Sequence, residues 1–333
     1  MKPTELFLAL DALISERVSI HIWGSAGVGK SQIVQQVAKK RNWQFIDLRA
    51  VQLDPVDLRG LPRVTDTQTE WVPPKFLPTS GEGILFLDEL TSAPQMTQAA
   101  CYQLVLDRKL GEYTLPDGWV VLAAGNPAAE GGVHFAMPRP LRNRFVHLNL
   151  EPDFDDWCQW AVSAGIRPEI LAFLRFRPGC LHNAKVSSDA NAWATPRSWE
   201  MASKVLSGLS SRKASPSMSL MEAALLEGTV GQGAADELIA FLRLFRELPS
   251  IDEILLNPTS TPVPKEPSAQ IAIATALGRV LTDNSIGKGI EYLQRMPVEM
   301  LVLAMRDAAR RDRAITHTPE FVRFGIEKAE FLT

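Results

Sequence analysis

Five short apolar runs mark the first 150 residues: "VSIHIW" (18–23), "WQFIDL" (43–48), "GILFLD" (83–88), "WVVLAAG" (119–125) and "FVHLNL" (145–150). Their length and β-branched content predict strands. "GILFLD" has no polar alternation, the mark of a strand buried on both faces of a parallel sheet. Helical spacing fills several of the intervals. Residues 4–15 put Leu6, Leu10, Leu13 and Ile14 on one face, and residues 29–41 and 93–108 also read as helices. Residues 51–83 are rich in turn signals and read as loop, and "LGEYTLPDG" (110–118) reads as a small hairpin before the next strand. Strands alternating with helices predict a parallel α/β sheet.

Beyond residue 151 the strand signal fades. "DFDDWCQWAVSAG", "PEILAFLRF", "PRSWEMASKVLSGL", "LMEAALLEGTV", "ADELIAFLRLFREL", "IAIATALGRVL" and "VEMLVLAMRDAARR" all carry helical spacing. "SSRKASPSMS" (210–219) reads as a linker or long loop, and "NPTSTPVPKEP" (257–267) as an extended, Pro-rich break. The expected organisation is an α/β domain over 1–150, a helical segment over 151–210 and a helical extension over 211–333, either separate from that segment or part of it.

Composition narrows the classes. The chain has 333 residues, 46% of them hydrophobic, enough for two or three domains with real cores. Its net charge of −3 argues against a dedicated nucleic-acid coat. No run approaches the roughly 20 apolar residues of a membrane span, and acids interrupt the N-terminal apolar positions, so no secretory leader is read there. Cys101, Cys158 and Cys180 lack metal-ligand spacing and read as reduced thiols. A cytoplasmic location is expected. The five histidines are scattered and suggest no zinc site.

The strongest chemical signal is "GSAGVGKS", comprising Gly24, Ser25, Ala26, Gly27, Val28, Gly29, Lys30 and Ser31. It fits G-x-x-x-x-G-K-[ST] and lies between a predicted strand and a predicted helix, the context this phosphate loop requires. Glycines let backbone N–H groups ring a phosphate, and the helix N-terminus adds partial positive charge. Lys30 is expected to reach the β- and γ-phosphates, and Ser31 to ligate Mg2+. "ILFLDE" supplies the second half: an apolar strand ending in Asp88, a candidate magnesium ligand, and Glu89, a candidate for orienting the attacking water. That acid pair favours ATP hydrolysis over phosphoryl transfer to another substrate. Asn126, after the next apolar strand, is expected on the same sheet edge, where a neutral amide can position the water.

The order phosphate loop, "FLDE", "AAGNP", "RNRF" and "TPRSWE" resembles the AAA+ ATPases. "DPVDLRGLP", the hairpin "LGEYTLPDG" and the R-F pair opening the fifth strand look closest to the MoxR branch. The resemblance covers about residues 18–206. It implies a P-loop NTPase sheet of five parallel strands in the order 5-1-4-3-2, sandwiched by helices and followed by an all-α lid, and a ring of usually six subunits. Within that resemblance Asn126 matches the first sensor. Arg144 matches the arginine finger that reaches a neighbour's site, with Arg142 as a second candidate. Arg197 matches the second sensor on a lid helix. No acid lies within six residues on either side of the Arg142/Arg144 pair, so sequence gives it no local partner. A separate von Willebrand factor A domain protein is the implied partner and a folded protein complex the implied substrate, engaged through residues 110–118 or 51–83. Residues beyond about 207 match nothing in the family pattern.

Two alternatives stay open at this level. Arg306, Arg310, Arg311 and Arg313 suit a nucleic-acid-linked ATPase, such as a helicase loader, a transposition helper or a restriction-type motor, although Asp307 and Asp312 interleave as on a solvated helix face. A nucleotide-dependent scaffold with little turnover is the other. Most of the eight tryptophans read as packing. Trp71, in "EWVPPKF", is the one to check for adenine or partner contact.

Overall fold

The computed structural model describes residues 1–130, 133–183, 190–210 and 220–328. They divide into two compact units, Met1–Asp153 and Phe154–Thr333. Of the expected linker, residues 211–219 lie outside the described residues, and Ser210 ends a helix.

In chain order the first unit comprises α1 (Pro3–Leu13), β1 (Ile20–Trp23), α2 (Lys30–Lys40), β2 (Gln44–Arg49), α3 (Pro55–Arg59), β3 (Leu61–Val64), β4 (Thr69–Val72), β5 (Gly83–Asp88), α4 (Gln95–Asp107), β6 (Lys109–Leu110), β7 (Tyr113–Thr114), β8 (Trp119–Gly125), α5 (Arg139–Arg142) and β9 (Val146–Asn149). Five of these strands form one sheet in the order β2-β5-β8-β1-β9, every pairing parallel. Counted as the five sheet strands alone, this is the expected 5-1-4-3-2 read from the other edge.

The apolar runs are explained by burial on both faces. Ile84 and Phe86 of β5 join Val120 and Leu122 of β8 in a core under α1 and α2, with Leu6, Leu10, Val34 and Val37. Leu85 and Leu87 turn the other way, with Val121, Ala123 and the α4 residues Cys101 and Leu104. Alternate residues thus go to opposite helical layers, so neither face needs polar positions. Burial of the Cys101 and Cys158 thiols pushes both up to about 12, which keeps them inert.

Two hairpins decorate this sheet. β6 and β7 pair antiparallel, starting one residue before the stretch read as a hairpin. β3 and β4 also pair antiparallel, inside a region read from sequence as loop. That reading misses the hairpin for a physical reason: its strands have four residues each and largely exposed positions, Val64 being 81% exposed. With no buried face there is no alternation to detect.

The second unit is helical among its described residues: α6 (Phe154–Ser163), α7 (Pro168–Phe176), α8 (Pro196–Ser210), α9 (Leu220–Val230), α10 (Gln232–Arg246), α11 (Ile251–Leu256), α12 (Pro267–Val280), α13 (Ile286–Leu293), α14 (Val298–Arg311) and α15 (Pro319–Glu327). One core gathers Trp157, Phe173 and Trp199 with Leu226, Leu238 and Phe241, so residues on both sides of position 210 share it. A second gathers Ile254, Leu277, Tyr292, Leu293 and Met305. Prolines at the first turns of α7, α8, α12 and α15 suit positions where a backbone N–H has no helical acceptor. No helix among the described residues is long and apolar enough to cross a membrane.

Candidate nucleotide site

β1 ends at Trp23, and the chain turns at once into the Gly24–Ser31 loop. Gly27 and Gly29 have φ of 78° and 98°, left-handed values that favour glycine. A Cβ on Gly24 would lie 2.9 Å from the Leu150 carbonyl oxygen, so the loop's start is clamped against the chain leaving β9. Gly29 is the N-cap of α2, which begins at Lys30. The first N–H groups of α2 therefore open into the loop.

Lys30 is 9% exposed. Its Nζ donates to the carbonyls of Gly24 at 2.6 Å and Ser25 at 2.9 Å, and to Oδ1 of Asn126 at 2.7 Å. The Ser31 hydroxyl donates to Asp88 Oδ2 at 3.2 Å. Asp88 closes β5, where it is in register with Arg49. The loop, Asp88 and Asn126 therefore meet at the C-terminal edge of the parallel sheet, where open α/β sheets take their ligands. Glu89 follows with φ of 56°, a left-handed backbone costing about 1–2 kcal/mol in a residue with a Cβ. Its N–H donates to Asp88 Oδ1 at 3.0 Å, and its side chain is exposed.

Two carboxylates absent from the sequence reading join this edge. Asp47 on β2 has its carboxyl raised by burial, with the charges of Asp88 and Glu89 adding to the effect. Only the strand pairing brings it beside them. Glu130, four residues after Asn126, lies on the loop itself: the Ser25 hydroxyl donates to its Oε1, and the Ala26 N–H to its Oε2 at 3.3 Å. An acid beside the "GG" at 131–132 is the only local signal that could have marked it.

Arg142 ends α5 and Arg144 precedes β9. Both side chains are exposed, and neither has an ion-pair partner among the described residues. Arg139 is exposed as well. Arg197 sits in the first turn of α8 in the second unit, also exposed. That helix start is well fixed. The Thr195 N–H donates to Ser198 Oγ at 2.7 Å and the Ser198 N–H to Thr195 Oγ1 at 3.0 Å, a reciprocal cap.

Of the basic cluster at the end of α14, Arg306, Arg310 and Arg313 are exposed, while Arg311 is committed within the fold. Arg311 donates to the carbonyls of Arg279 and Leu281 at the end of α12. Asp307, read as part of a solvated face, is 1% exposed. It pairs with Arg175 of α7, Nη2 donating to Oδ1 at 2.7 Å, while Arg175 Nη1 donates to Thr275 of α12 at 2.8 Å.

The family model of the AAA domain (dynein-related subfamily) matches residues 19–145. No curated protein matches the chain. Among solved structures, the chain is similar to NtrX from Brucella abortus, at 16% identity and a TM-score of 0.44, over 99% of this chain and 68% of that one. It is similar also to a RuvB mutant from Thermotoga maritima, at 18% identity and a TM-score of 0.41, over 88% of this chain and 85% of that one. The matched segment holds the phosphate loop, Asp88, Glu89, Asn126 and the Arg142/Arg144 pair, and it ends on Phe145. The chain therefore carries an AAA+ ATPase domain over residues 19–145.

Proposed function

We propose that the chain works as a nucleotide-driven ring, usually of six subunits, of the MoxR type, which remodels or activates a partner protein complex in the cytoplasm. A separate von Willebrand factor A domain protein would present the target. The observation that carries the reading is the meeting of Lys30 with Asn126 and of Ser31 with Asp88 at one sheet edge, while the arginine pair of the same domain stays exposed and without an ion pair among the described residues. The site thus gathers a phosphate cradle and acids, and leaves its cations free to serve another copy.

The roles follow from chemistry. Backbone N–H groups of residues 24–31 and the Lys30 ammonium would hold the phosphates. Ser31 and Asp88 would hold Mg2+. Their donor atoms are all oxygen, and Mg2+ commonly takes one or two protein ligands beside the substrate phosphates. When bound, the ion would supply charge neutralisation on the phosphates. Glu89 would polarise the water and Asn126 orient it. Arg144, aided by Arg142, would stabilise the transferring phosphoryl group in the next subunit, and Arg197 the γ-phosphate of its own.

The two hairpins support a protein-facing surface. The Trp71 N–H donates to Glu112 Oε2 at 3.2 Å, tying the β3–β4 hairpin to the β6–β7 turn, and Leu61, Val64, Trp71 and Val72 are exposed on it. The nucleic-acid reading rests on the α14 cluster. It is weakened there because Arg311 is bonded to two carbonyls and Asp307 to Arg175.

Size and turnover measured together test the proposal. Wild type should form nucleotide-stabilised rings. Arg144→Ala should still bind ATP but lose about 10³–10⁵-fold in kcat. Full turnover by an isolated monomer overturns the trans arrangement. Strong stimulation of turnover by DNA at low salt, where phosphate contacts are strongest, overturns the protein-remodelling reading in favour of the nucleic-acid one.

A further inference from the structure

One aromatic cluster joins the strand that feeds the phosphate loop to the strand that follows the arginine pair. Trp23, the last residue of β1, donates its indole N–H to His147 Nδ1 at 2.9 Å. An indole nitrogen can only donate, so Nδ1 must be bare and the ring hydrogen of neutral His147 must sit on Nε2. Nε2 lies 2.7 Å from the carbonyl oxygen of Arg142 and donates to it. One imidazole therefore accepts from the residue next to Gly24 and donates to the backbone of the candidate finger segment.

Packing reinforces the link. The Trp23 and His147 rings stack with centroids 6.0 Å apart at 27°. Phe145, buried next to Arg144, meets His147 edge-on at 6.3 Å and His21 of β1 at 5.6 Å. The backbone on both sides of Arg144 is thus held through β1 side chains, while both guanidinium groups stay exposed.

We propose that His147 is a positioning residue that couples the phosphate loop of its own subunit to the arginine pair offered to the next. The proposal rests on the reading of Arg144 as a finger acting in trans. Gly24, which follows Trp23 directly, accepts from Lys30 Nζ at 2.6 Å. A phosphate competes for that same ammonium, so nucleotide binding alters the hydrogen bonding of the Gly24–Ser25 peptide, one residue beyond Trp23. The indole bond to His147 then carries the change to Arg142. Without the latch, Arg144 is still present but is no longer held to a defined position. Catalytic groups displaced by about 1 Å lose up to about a hundredfold in rate.

The test uses the full chain and compares His147→Phe, His147→Gln and Arg144→Ala, with Glu89→Gln subunits as mixing partners. His147→Phe keeps the ring and loses both hydrogen bonds. It should lower kcat about ten- to a hundredfold, with KM and the affinity for a non-hydrolysable ATP analogue within about twofold of wild type. His147→Gln, which can still accept and donate, should recover most of the rate. The decisive readout is trans complementation. Glu89→Gln subunits lack the water-polarising acid but keep Lys30, the loop and the finger, so mixing them with His147→Phe subunits should raise turnover per His147→Phe site. A residue needed only for its own subunit's loop would show no such rescue. If His147→Phe turns over like wild type while Arg144→Ala is dead, the coupling is wrong and the finger reading survives. If Arg144→Ala is itself active, the finger reading falls and takes this proposal with it.

Discussion

The two units use arginine in different ways. In the second, Arg175, Arg246, Arg279, Arg295 and Arg311 are all committed to acids, hydroxyls or backbone carbonyls of other helices and loops. They hold helices together. The first unit does this with Arg41, on Asp11 and Ser15, and with Arg108, on the Pro116 and Trp119 carbonyls. Yet beside its sheet it leaves Arg142 and Arg144 exposed, without an ion pair among the described residues. A cation with its hydrogen bonds already satisfied is a packing device. One held in place through its backbone, with its guanidinium free, is ready for an anion outside its own fold. Counting arginines in the sequence cannot separate the two: in the α14 cluster Arg311 is committed to two carbonyls, whereas Arg306 and Arg310 are exposed.

The comparison is sharpest at Arg175, and there the largest stability effect is expected. Its ion pair with Asp307 is buried, with side chains 9% and 1% exposed. Removing one partner of such a pair strands the other charge and typically costs about 3–5 kcal/mol. Arg175→Ala should therefore lower the denaturation midpoint of the full chain sharply and leave kcat per folded molecule near wild type. Arg144→Ala should do the reverse. Equal thermal loss in both variants would erase the distinction between the two kinds of arginine.

This contrast also marks where sequence reading stops. β5 and β8 were legible because burial on both faces leaves an unbroken apolar run, and the phosphate loop because its spacing and strand–helix context are local. Asp47 was not, since only the β2–β5 register brings it near Asp88. Asp307 was misread because its neighbours Arg306 and Arg310 suggest a charged surface, whereas its partner lies 132 residues away. The β3–β4 hairpin has no buried face to leave a pattern. Local chemistry was readable, but contacts made across the chain were not.

A smaller effect should separate the units by pH. The first unit buries His21 at 0% exposure, and neither ring nitrogen has a hydrogen-bond partner among the described residues. Burial, with added repulsion from His147 and Lys30, lowers its pKa from the ordinary 6.5 to about 3. Between those values the unfolded chain binds the extra proton and the folded one does not. The stability is therefore complete above about pH 6.5 and falls as pH drops, by about 1.4 kcal/mol per unit. His21→Phe retains an aromatic ring among Trp23 and Phe145 and removes the titration. Thermal midpoints of wild type and His21→Phe should converge or cross between pH 7.5 and 5.5, wild type losing more. Parallel pH profiles would show that His21 is not protected from protonation.

The smallest effect is expected at the loop itself, where exchange rather than permanence should distinguish the site from the helical packing. Glu130 places both carboxylate oxygens on phosphate-loop donors, Ser25 Oγ and the Ala26 N–H. These donors point where an anion is expected, so the carboxylate and a phosphate compete for them. Glu130 is exposed, and solvent screens its charge, so the competition is worth little. Glu130→Gln keeps the shape and removes the charge. It should tighten ATP binding by about two- to fivefold in a fluorescent-nucleotide titration at low salt, and the gain should shrink as salt rises. Tighter binding with that salt dependence would identify Glu130 as a competitor that nucleotide displaces. Weaker binding would mean instead that the carboxylate holds the loop in its receiving shape, and the first unit would then have a fixed charge of the kind that stabilises the second.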